Sequence, residues 1–372
     1  MQGPSMLAAS ENPCRTLVAS DREGVLACAR EIAGVEPRDT ARTPFDGVHR
    51  VGHDLLLFTG SFPDPRGKVM AHGVMVPRWD AAAVGGREGL VPPLGFYHDH
   101  DSLLFSCALA YMLDAPFAIH GHTGVGKTEL VRYFAALLGA PFYRMNLHGL
   151  STTDDIVGKL VPSGGGAVWF QDGLVTTAVR RGGVLLLEEM NATGQEVWFA
   201  LHGLLDGSRA LTLVEKDNEV LHQHPRCRIY ATFNPSEYPD LYPGTKELSA
   251  AYLRRWASVR LEFMELDMER AILLERFPAF AEPEHEEILE TMLQVARVSR
   301  EMLLNRSRAF NFVFSTGTLE AWASFALHIG PVAAAKMAFY DLLDDRLKSI
   351  FREQVFSYVT PWDLSRLDRP RR

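Results

Sequence analysis

A glycine-rich loop between a short apolar run and a helical run constrains the fold of this chain more than any other feature. Residues 117–139 have the sequence FAIHGHTGVGKTELVRYFAALLG. Phe117–Ile119 predicts a short strand, Glu129–Leu138 has helical spacing, and Gly139 is typical of the position after a helix end. A strand, a loop and a helix in this order predict an α/β domain with the loop at the N-terminus of a helix.

The loop itself predicts a phosphate-binding site. It matches the pattern GxxxxGK[ST] at its fixed positions, Gly121, Gly126, Lys127 and Thr128. Backbone N–H groups at a helix N-terminus bind phosphates, because the helix dipole favours negative charge there. Lys127 is expected to reach the β- and γ-phosphates, and the Thr128 hydroxyl to bind Mg²⁺. The residues predicted to bind the nucleotide are Gly121, His122, Thr123, Gly124, Val125, Gly126, Lys127 and Thr128.

A second apolar run ends in two adjacent acids. Val184–Leu187 is typical of a strand buried on both faces of a parallel sheet, and Glu188 and Glu189 follow it. A solvated strand end would explain the two acids alone. A nucleoside triphosphatase, however, needs a strand that ends in an acid of the Mg²⁺ shell. We therefore predict that Glu188 holds Mg²⁺, in place of the usual Asp, and that Glu189 polarises the attacking water.

A third strand is predicted in the segment CRIYATFNP, residues 227–235. It ends in Thr232, Asn234 and Pro235. An Asn before Pro is an ordinary turn, which is the alternative explanation. Beside the strand of the two acids, Asn234 could instead position the attacking water or contact the γ-phosphate.

Composition excludes some classes of protein. A chain of 372 residues is expected to form two or three domains. Its net charge of −8 argues against a protein that coats nucleic acid. The four cysteines, at positions 14, 28, 107 and 227, have no metal-ligand spacing and predict reduced thiols in a cytoplasmic protein. We predict no signal peptide, and the most apolar helical run, Ser102–Leu113, is too short to span a bilayer.

The segments GHTGVGKT, VLLLEEMN, ATFNP and ELSAAYLRRW, in this order, resemble an AAA+ ATPase. More narrowly, the chain resembles the MoxR/CbbQ/NorQ/GvpN group, which is related to dynein-related and midasin-type modules. The resemblance covers roughly residues 95–330. It implies a P-loop α/β core, a parallel sheet flanked by helices, with a helical lid. It also implies ATP and Mg²⁺ as cofactors, and ATP hydrolysis.

Two segments carry the narrower resemblance. Residues 154–183 are similar to the group's insert, which has an acidic start and a glycine-turned hairpin followed by aromatics, here Trp169 and Phe170. These aromatics either pack onto the core or line a pore and grip a client. Residues 208–230 predict a second hairpin around EKDNE, directly before the Asn234 strand.

The resemblance also implies an arginine finger. In this group an arginine before an aromatic residue reaches the γ-phosphate of the neighbouring subunit. Arg255, before Trp256, matches that position, and Arg254 is the second choice; a surface arginine is the alternative. An arginine supplied in trans would neutralise charge that develops on the transferred phosphoryl group.

One position departs from the group. Gly317 stands where the lid helix of relatives often carries an arginine, and Arg306 and Arg308 lie outside that motif. The second sensor is therefore predicted to be absent or displaced.

Three parts are predicted along the chain: an N-terminal α+β appendage in residues 1–94, the AAA+ α/β core in 95–263, and a helical lid with C-terminal helices in 264–372. The appendage is expected to contain a helix at Asp21–Ala33 and strands at Asp54–Thr59 and Gly73–Pro77. Residues 331–359 predict a longer helical end.

The segment HDHD, residues 98–101, could form a metal cluster. Asp101 is better explained as the N-cap of a helix that starts at Ser102. His222 and His224 give an equally weak indication of a metal site.

These observations together predict a ring-forming ATPase, most simply a hexamer, that remodels or activates a partner protein. The resemblance implies that such ATPases often act with a von Willebrand factor A-type protein. A nucleic-acid motor or restriction-type NTPase is one alternative, which the acidic charge disfavours. A nucleotide-switched scaffold with little turnover is another.

Overall fold

The computed structural model describes residues 16–19, 21–36, 40–42, 48–63, 69–99, 102–163, 166–305, 310–357 and 360–367. The chain divides into two compact units. The first contains the described residues up to His120 together with Lys127–Phe233 and Gly244–Arg260. The second contains Gly121–Gly126, Asn234–Pro243 and the described residues from Leu261 onward. The division at residues 94 and 263 stays a prediction.

The described residues form fourteen strands and thirteen α-helices. The strands are β1 Thr16–Ala19, β2 Thr40–Arg42, β3 Val48–Val51, β4 Asp54–Pro63, β5 Val69–Pro77, β6 Phe117–His120, β7 Phe142–Asn146, β8 Gly158–Pro162, β9 Val168–Asp172, β10 Gly183–Glu188, β11 Ala210–Leu213, β12 Glu219–His222, β13 Cys227–Phe233 and β14 Ala257–Arg260. The helices are α1 Arg22–Ala33, α2 Ala81–Val84, α3 Leu103–Met112, α4 Lys127–Leu138, α5 Thr153–Ile156, α6 Leu174–Arg181, α7 Gln195–Ala200, α8 Ala250–Leu253, α9 Leu266–Arg276, α10 Pro283–Leu304, α11 Thr316–Ile329, α12 Pro331–Ala338 and α13 Asp345–Ile350.

The N-terminal part of the first unit is an antiparallel sheet with strand order β1-β5-β4-β3-β2. Helix α1 covers one face, where Val25 packs with Leu56 and Met75 in an apolar cluster. Asp21 caps this helix by accepting a hydrogen bond of 2.8 Å from the Gly24 N–H. Helix α3 contacts β4 and β5. The predicted helix and both predicted strands of the α+β appendage are confirmed, although β4 and β5 are longer than predicted.

The second sheet of the first unit is parallel throughout, with strand order β14-β6-β13-β10-β7. All six residues of β10 are buried, as expected for an apolar strand in the middle of a parallel sheet. Strand β13 lies between β6 and β10, so the strands of the glycine loop, of Asn234 and of the two acids are neighbours. Because the carboxyl-terminal ends of parallel strands lie on the same side of a sheet, this order places the polar residues at the ends of β13 and β10 next to one another. The predicted fold class is confirmed.

Two hairpins extend the first unit. Strands β8 and β9 pair antiparallel, as do β11 and β12. Asp217 and Asn218 both have positive φ in the turn of the second hairpin, a backbone conformation that such short polar residues tolerate. Trp169 on β9 is 51% exposed, whereas Phe170 is partly buried against the core of this unit. Both predicted hairpins are confirmed, and only Phe170 of the two aromatics packs inward.

The second unit is mainly helical, with an aromatic core that includes Phe314, Trp322, Phe339 and Phe351. The helical end predicted over residues 331–359 is confirmed for its described residues, although it is divided into short helical pieces. Helix α12 ends at Ala338, and a short turn leads to α13. Asp344 caps α13 by accepting a 2.7 Å hydrogen bond from Leu347. Phe339 and Tyr340, at the break between these helices, are both buried in the core of the second unit.

The N-terminus of α3 also differs from its prediction. The helix begins at Leu103, and Ser102, with a φ of 56°, is its N-cap residue, so the predicted start at Ser102 is wrong; Asp101, the predicted N-cap, lies outside the described residues. The Asp99 side chain accepts a 3.0 Å hydrogen bond from the Leu104 N–H. Four further residues from the sequence analysis lie outside the described residues: Cys14, His100, Arg306 and Arg308.

The described residues contain no group of three or more His, Cys, Asp or Glu residues that could hold a metal ion. Within the same ranges, no helix combines the length and the apolar character that a membrane crossing needs. Cys28, Cys107 and Cys227 are free thiols.

A buried ion pair joins three helices of the second unit. Arg300 on α10 donates two hydrogen bonds of 2.7 Å to the two carboxylate oxygens of Glu269 on α9. The Thr316 hydroxyl at the start of α11 donates to the same carboxylate at 2.6 Å. Arg300 Nε also donates to the Phe314 carbonyl at 2.8 Å. Each charge is therefore compensated although both side chains are removed from water, at 6% and 0% exposure.

Replacing Glu269 by Ala should destabilise this unit strongly, because it leaves the buried Arg300 guanidinium without its counterion. We expect the free energy of opening to fall by about 3–5 kcal/mol, measured by hydrogen exchange in peptides from α10 and α11. The matched control is Arg297→Ala on the same helix, which breaks an exposed pair with Glu301 and should change this energy by less than about 1 kcal/mol. Equal protection in the two variants would show that the buried pair does not hold these helices together.

Candidate active site

The glycine loop connects the end of β6 to the first residue of α4, as predicted. A Cβ atom at Gly121 would lie 2.1 Å from the Leu261 carbonyl oxygen, and one at Gly124 would lie 2.3 Å from the Ser315 Cβ atom. Gly124 also has a φ of +78°, which side chains other than glycine rarely adopt. Both glycines are therefore required by close approaches of the backbone within the second unit.

Lys127 begins helix α4, and its side chain is buried. Burial lowers the pKa of Lys127 to about 8, and the carboxylates of Glu189 and Glu188 oppose this shift. The lysine therefore stays mainly protonated at neutral pH. The structure thus places a desolvated cation and the two predicted acids within electrostatic reach of one another in the first unit.

Glu188, the last residue of β10, is buried and holds two partners. The Thr128 hydroxyl donates a hydrogen bond to its Oε1 atom, and Arg144 Nε donates to its Oε2 atom. The fold thus brings together Thr128 and Glu188, the two residues predicted to hold Mg²⁺. A hydroxyl and a carboxylate are the oxygen ligands that Mg²⁺ prefers, and a site that also uses substrate phosphates needs few protein ligands. These residues therefore fit the metal.

Arg144 is a site residue that the sequence did not predict. It lies on the edge strand β7, in register with Leu186 of β10, two positions before the pair of Asn146 and Glu188. Its side chain is 58% exposed, whereas that of Glu188 is 7% exposed. Within the segment FYRMN nothing distinguishes this arginine from an ordinary surface residue. Only the pairing of β7 with β10 brings it to the carboxylate.

Glu189 follows β10 and is exposed. Its backbone has a φ of 53° and a ψ of 40°, in the left-handed region that residues other than glycine seldom occupy. The Glu189 N–H donates a 3.2 Å hydrogen bond to the Thr232 hydroxyl of the neighbouring strand β13. Such strained positions occur preferentially at functional sites, where the surroundings hold them. The two adjacent acids thus differ, because Glu188 is buried and paired whereas Glu189 is turned to solvent.

Asn234 directly follows the last residue of β13, and its side chain is buried. It stands at the carboxyl end of the strand that pairs with β10, the position that the sequence predicted. Its role in positioning water stays a prediction.

Arg255 lies at the amino-terminal ends of the parallel strands, whereas Glu188 lies at their carboxyl-terminal ends. It precedes β14, and the first residue of β14 pairs with Phe117, the first residue of β6. Lys127, in contrast, follows the carboxyl end of β6. Arg255 Nη1 donates to the Ala251 carbonyl within α8, and its side chain lines a cavity of about 370 Å³ with Trp198. Arg255 is therefore separated by the length of the sheet from the Lys127 of its own chain.

Comparison with known proteins agrees with this geometry. The family description AAA domain (dynein-related subfamily) matches residues 116–256. Midasin from Dictyostelium discoideum is 35% identical over 43% of this chain, a match that covers 3% of midasin. Protein CbbQ from Hydrogenophilus thermoluteolus is 34% identical over 42% of this chain and 59% of CbbQ. The aerobic cobaltochelatase subunit CobS from a Sinorhizobium species is 29% identical over 63% of this chain and 72% of CobS.

The matched region contains the glycine loop, both acids, Asn234 and Arg255. These residues lie at or next to the ends of strands of the parallel sheet. The chain thus spans only part of the length of midasin and CbbQ. Residues 116–256 thus match an AAA domain of the dynein-related subfamily, and the similarity to CobS and CbbQ supports the resemblance to the MoxR/CbbQ/NorQ/GvpN group that the sequence motifs predicted.

Proposed function

We propose that this ATPase assembles into a ring, most simply a hexamer, and uses Mg²⁺-dependent ATP hydrolysis to remodel or activate a partner protein. The position of Arg255 carries this proposal. An arginine at the amino edge of the sheet has no access to a phosphate held at the carboxyl edge of the same sheet. A neighbouring copy of the chain would supply that phosphate, so the site is complete only at an interface between subunits.

Each residue has a distinct task in the proposed hydrolysis. The loop N–H groups and Lys127 bind the phosphates, and Thr128 and Glu188 hold Mg²⁺, whose charge stabilises the developing negative charge. Glu189 accepts a proton from the attacking water, because its carboxylate is exposed and not tied to a basic side chain by a direct hydrogen bond in the described residues. Asn234 orients that water, and Arg255 of the neighbouring subunit contacts the γ-phosphate.

The partner is proposed to be a protein. The hairpin of β8 and β9 exposes Leu160, Val168 and Trp169, an apolar surface of the kind that contacts other proteins. The name of the relative CobS describes one subunit of a larger enzyme. A von Willebrand factor A-type protein is the class of partner that the resemblance favours. The net charge of −8 disfavours nucleic acid.

Arg144 is proposed to compete with Mg²⁺ for Glu188. Both are cations that bind the same carboxylate, so Glu188 must exchange one for the other when Mg²⁺-ATP binds. Replacing Arg144 by Gln should lower the Mg²⁺ concentration needed for half-maximal ATP binding by about twofold to fivefold, as expected for a partly exposed pair. Binding of a fluorescent ATP analogue over a Mg²⁺ titration measures this. Arg144→Lys, which keeps the charge, should stay near wild type, and a raised Mg²⁺ requirement in Arg144→Gln would contradict competition.

Replacing Glu189 by Gln should separate ATP binding from hydrolysis. The amide keeps the shape but lacks the basic carboxylate, so phosphate release should fall by about 10²- to 10⁴-fold while ATP still binds. Glu188 is the matched control: Glu188→Asp should be tolerated, and Glu188→Ala should weaken Mg²⁺-dependent binding. If Glu188→Gln stops hydrolysis and Glu189→Gln does not, the two roles are exchanged.

A protein that co-purifies with ATP-bound Glu189→Gln, and not with Lys127→Ala, would identify the partner. Co-purification of nucleic acid instead of a protein would contradict the proposed function.

Replacing Arg255 by Ala tests the interface between subunits. Turnover should fall by a factor on the order of 10³, with ATP binding nearly intact, because only the transition state loses a contact. Mixing Arg255→Ala with Lys127→Ala should restore part of the activity, since a mixed assembly can place an intact loop against an intact arginine. Arg254→Ala is the control from the same turn. Wild-type turnover in pure Arg255→Ala would remove Arg255 from the site.

A further inference from the structure

A tyrosine hydroxyl group joins the glycine loop to the segment that follows β13. Tyr242 Oη lies 2.9 Å from His122 Nδ1 and accepts a 3.1 Å hydrogen bond from the Thr123 N–H. His122 and Thr123 are the second and third residues of the loop, and Tyr242 lies eight positions after Asn234. All four residues belong to the second compact unit. One side chain thus bonds both a side chain and a backbone group of the loop.

The imidazole of His122 is enclosed by aromatic rings. It is 2% exposed and stacks on Phe263, with ring centroids 5.3 Å apart and planes 9° apart. The ring of Tyr238 meets it edge-on at 4.9 Å. Such offset and edge contacts add specific geometry to apolar burial. These contacts therefore hold the His122 ring in one orientation within the second unit.

The ring stack continues to the buried ion pair. The Arg300 guanidinium carbon lies 4.9 Å from the centroid of the Phe263 ring, within range of a cation–π interaction. Arg300 is itself held by Glu269, which also binds Thr316 at the start of α11. A continuous series of contacts thus runs from the helices of the second unit to the loop.

We propose that Tyr242 is a positioning residue for nucleotide binding, which holds the first part of the glycine loop in its phosphate-binding conformation. If the loop also adopts conformations that cannot bind phosphate, the apparent dissociation constant of the ligand rises. It rises in inverse proportion to the fraction of time that the loop spends in the binding conformation. Because this conformation serves any bound phosphate, Tyr242 sets the affinity for ATP and for ADP by the same factor. The proposal rests on nucleotide binding alone, so it holds or fails independently of the ring and of the partner protein.

The protonation of Tyr242 supports this role. Burial raises the pKa of Tyr242, and its hydrogen bond from the Thr123 backbone opposes the shift. The hydroxyl therefore keeps its proton throughout the physiological range, so it can accept from Thr123 while its own proton stays available for the bond with His122. A phenylalanine would keep the ring and lose both bonds.

Tyr242→Phe therefore tests the proposal in the full chain. ADP and a non-hydrolysable ATP analogue should both bind more weakly by about threefold to tenfold, the effect of one or two hydrogen bonds. At saturating ATP, kcat should change by less than about twofold, because the chemical groups are untouched. Calorimetric titration and steady-state phosphate release measure the two quantities. Tyr340→Phe, which removes another buried tyrosine hydroxyl of the same unit, bonded to the Lys348 carbonyl at 3.4 Å, is the matched control.

A second variant keeps the test decisive if the first one acts through stability. Phe263→Leu keeps an apolar side chain but removes the ring that stacks on His122. This variant should also lower the affinity for both ADP and the ATP analogue. Combined with Tyr242→Phe it should have less than the sum of the two effects, since both act through His122. Unchanged affinity in Tyr242→Phe would overturn the proposal, whether or not thermal stability falls. A fall in kcat with unchanged affinity would also overturn it, because Tyr242 would then act in the chemical step.

Discussion

Burial of β10 in the middle of a parallel sheet is the constraint on which the candidate site depends. The apolar strand is covered on both faces, so its register against β7 and β13 is fixed, and so are the positions of the two acids that end it. That register places Glu188 beside Thr128 and Arg144, and it lets Thr232 hold the backbone of Glu189. A slip by one residue would exchange the buried and the exposed acid.

The two acids show how one strand end can supply two functions. Glu188 is shielded from water and bonded on both oxygens, which suits a group that holds a cation. Glu189 is exposed, and its backbone is held in a left-handed conformation, which suits a group that meets a water molecule. Arg144 neutralises Glu188 in this structure. The longer arm of Glu, compared with the usual Asp, is compatible with both a cationic side chain and a metal as partner.

The shape of the predicted phosphate-binding loop depends on other residues of the second unit. Gly121 and Gly124 are approached closely by Leu261 and Ser315, and His122 is enclosed by aromatic rings. The sequence predicts that this helical unit lacks a second sensor arginine, because Gly317 stands in its place. The contacts of Leu261, Ser315 and the aromatic rings give the unit another way to influence the loop. The buried pair of Arg300 and Glu269, through Phe263, offers another.

The sequence by itself determined the strand, glycine loop and helix, both hairpins, the neighbouring acids and the order of the motifs, because each depends on local pattern and on residues close in the chain. It did not predict where the helical end after residue 331 is broken, which is at Phe339 and Tyr340, two residues buried in the core. Arg144 and Tyr242 were beyond it as well, since each acquires its partner from strand register or from packing across about 40 to 120 positions. The tertiary structure alone decided that Arg255 lies at the amino-terminal ends of the parallel strands, whereas Lys127 follows the carboxyl-terminal end of β6. Only the parallel pairing of β14 with β6 sets the direction in which β14 runs.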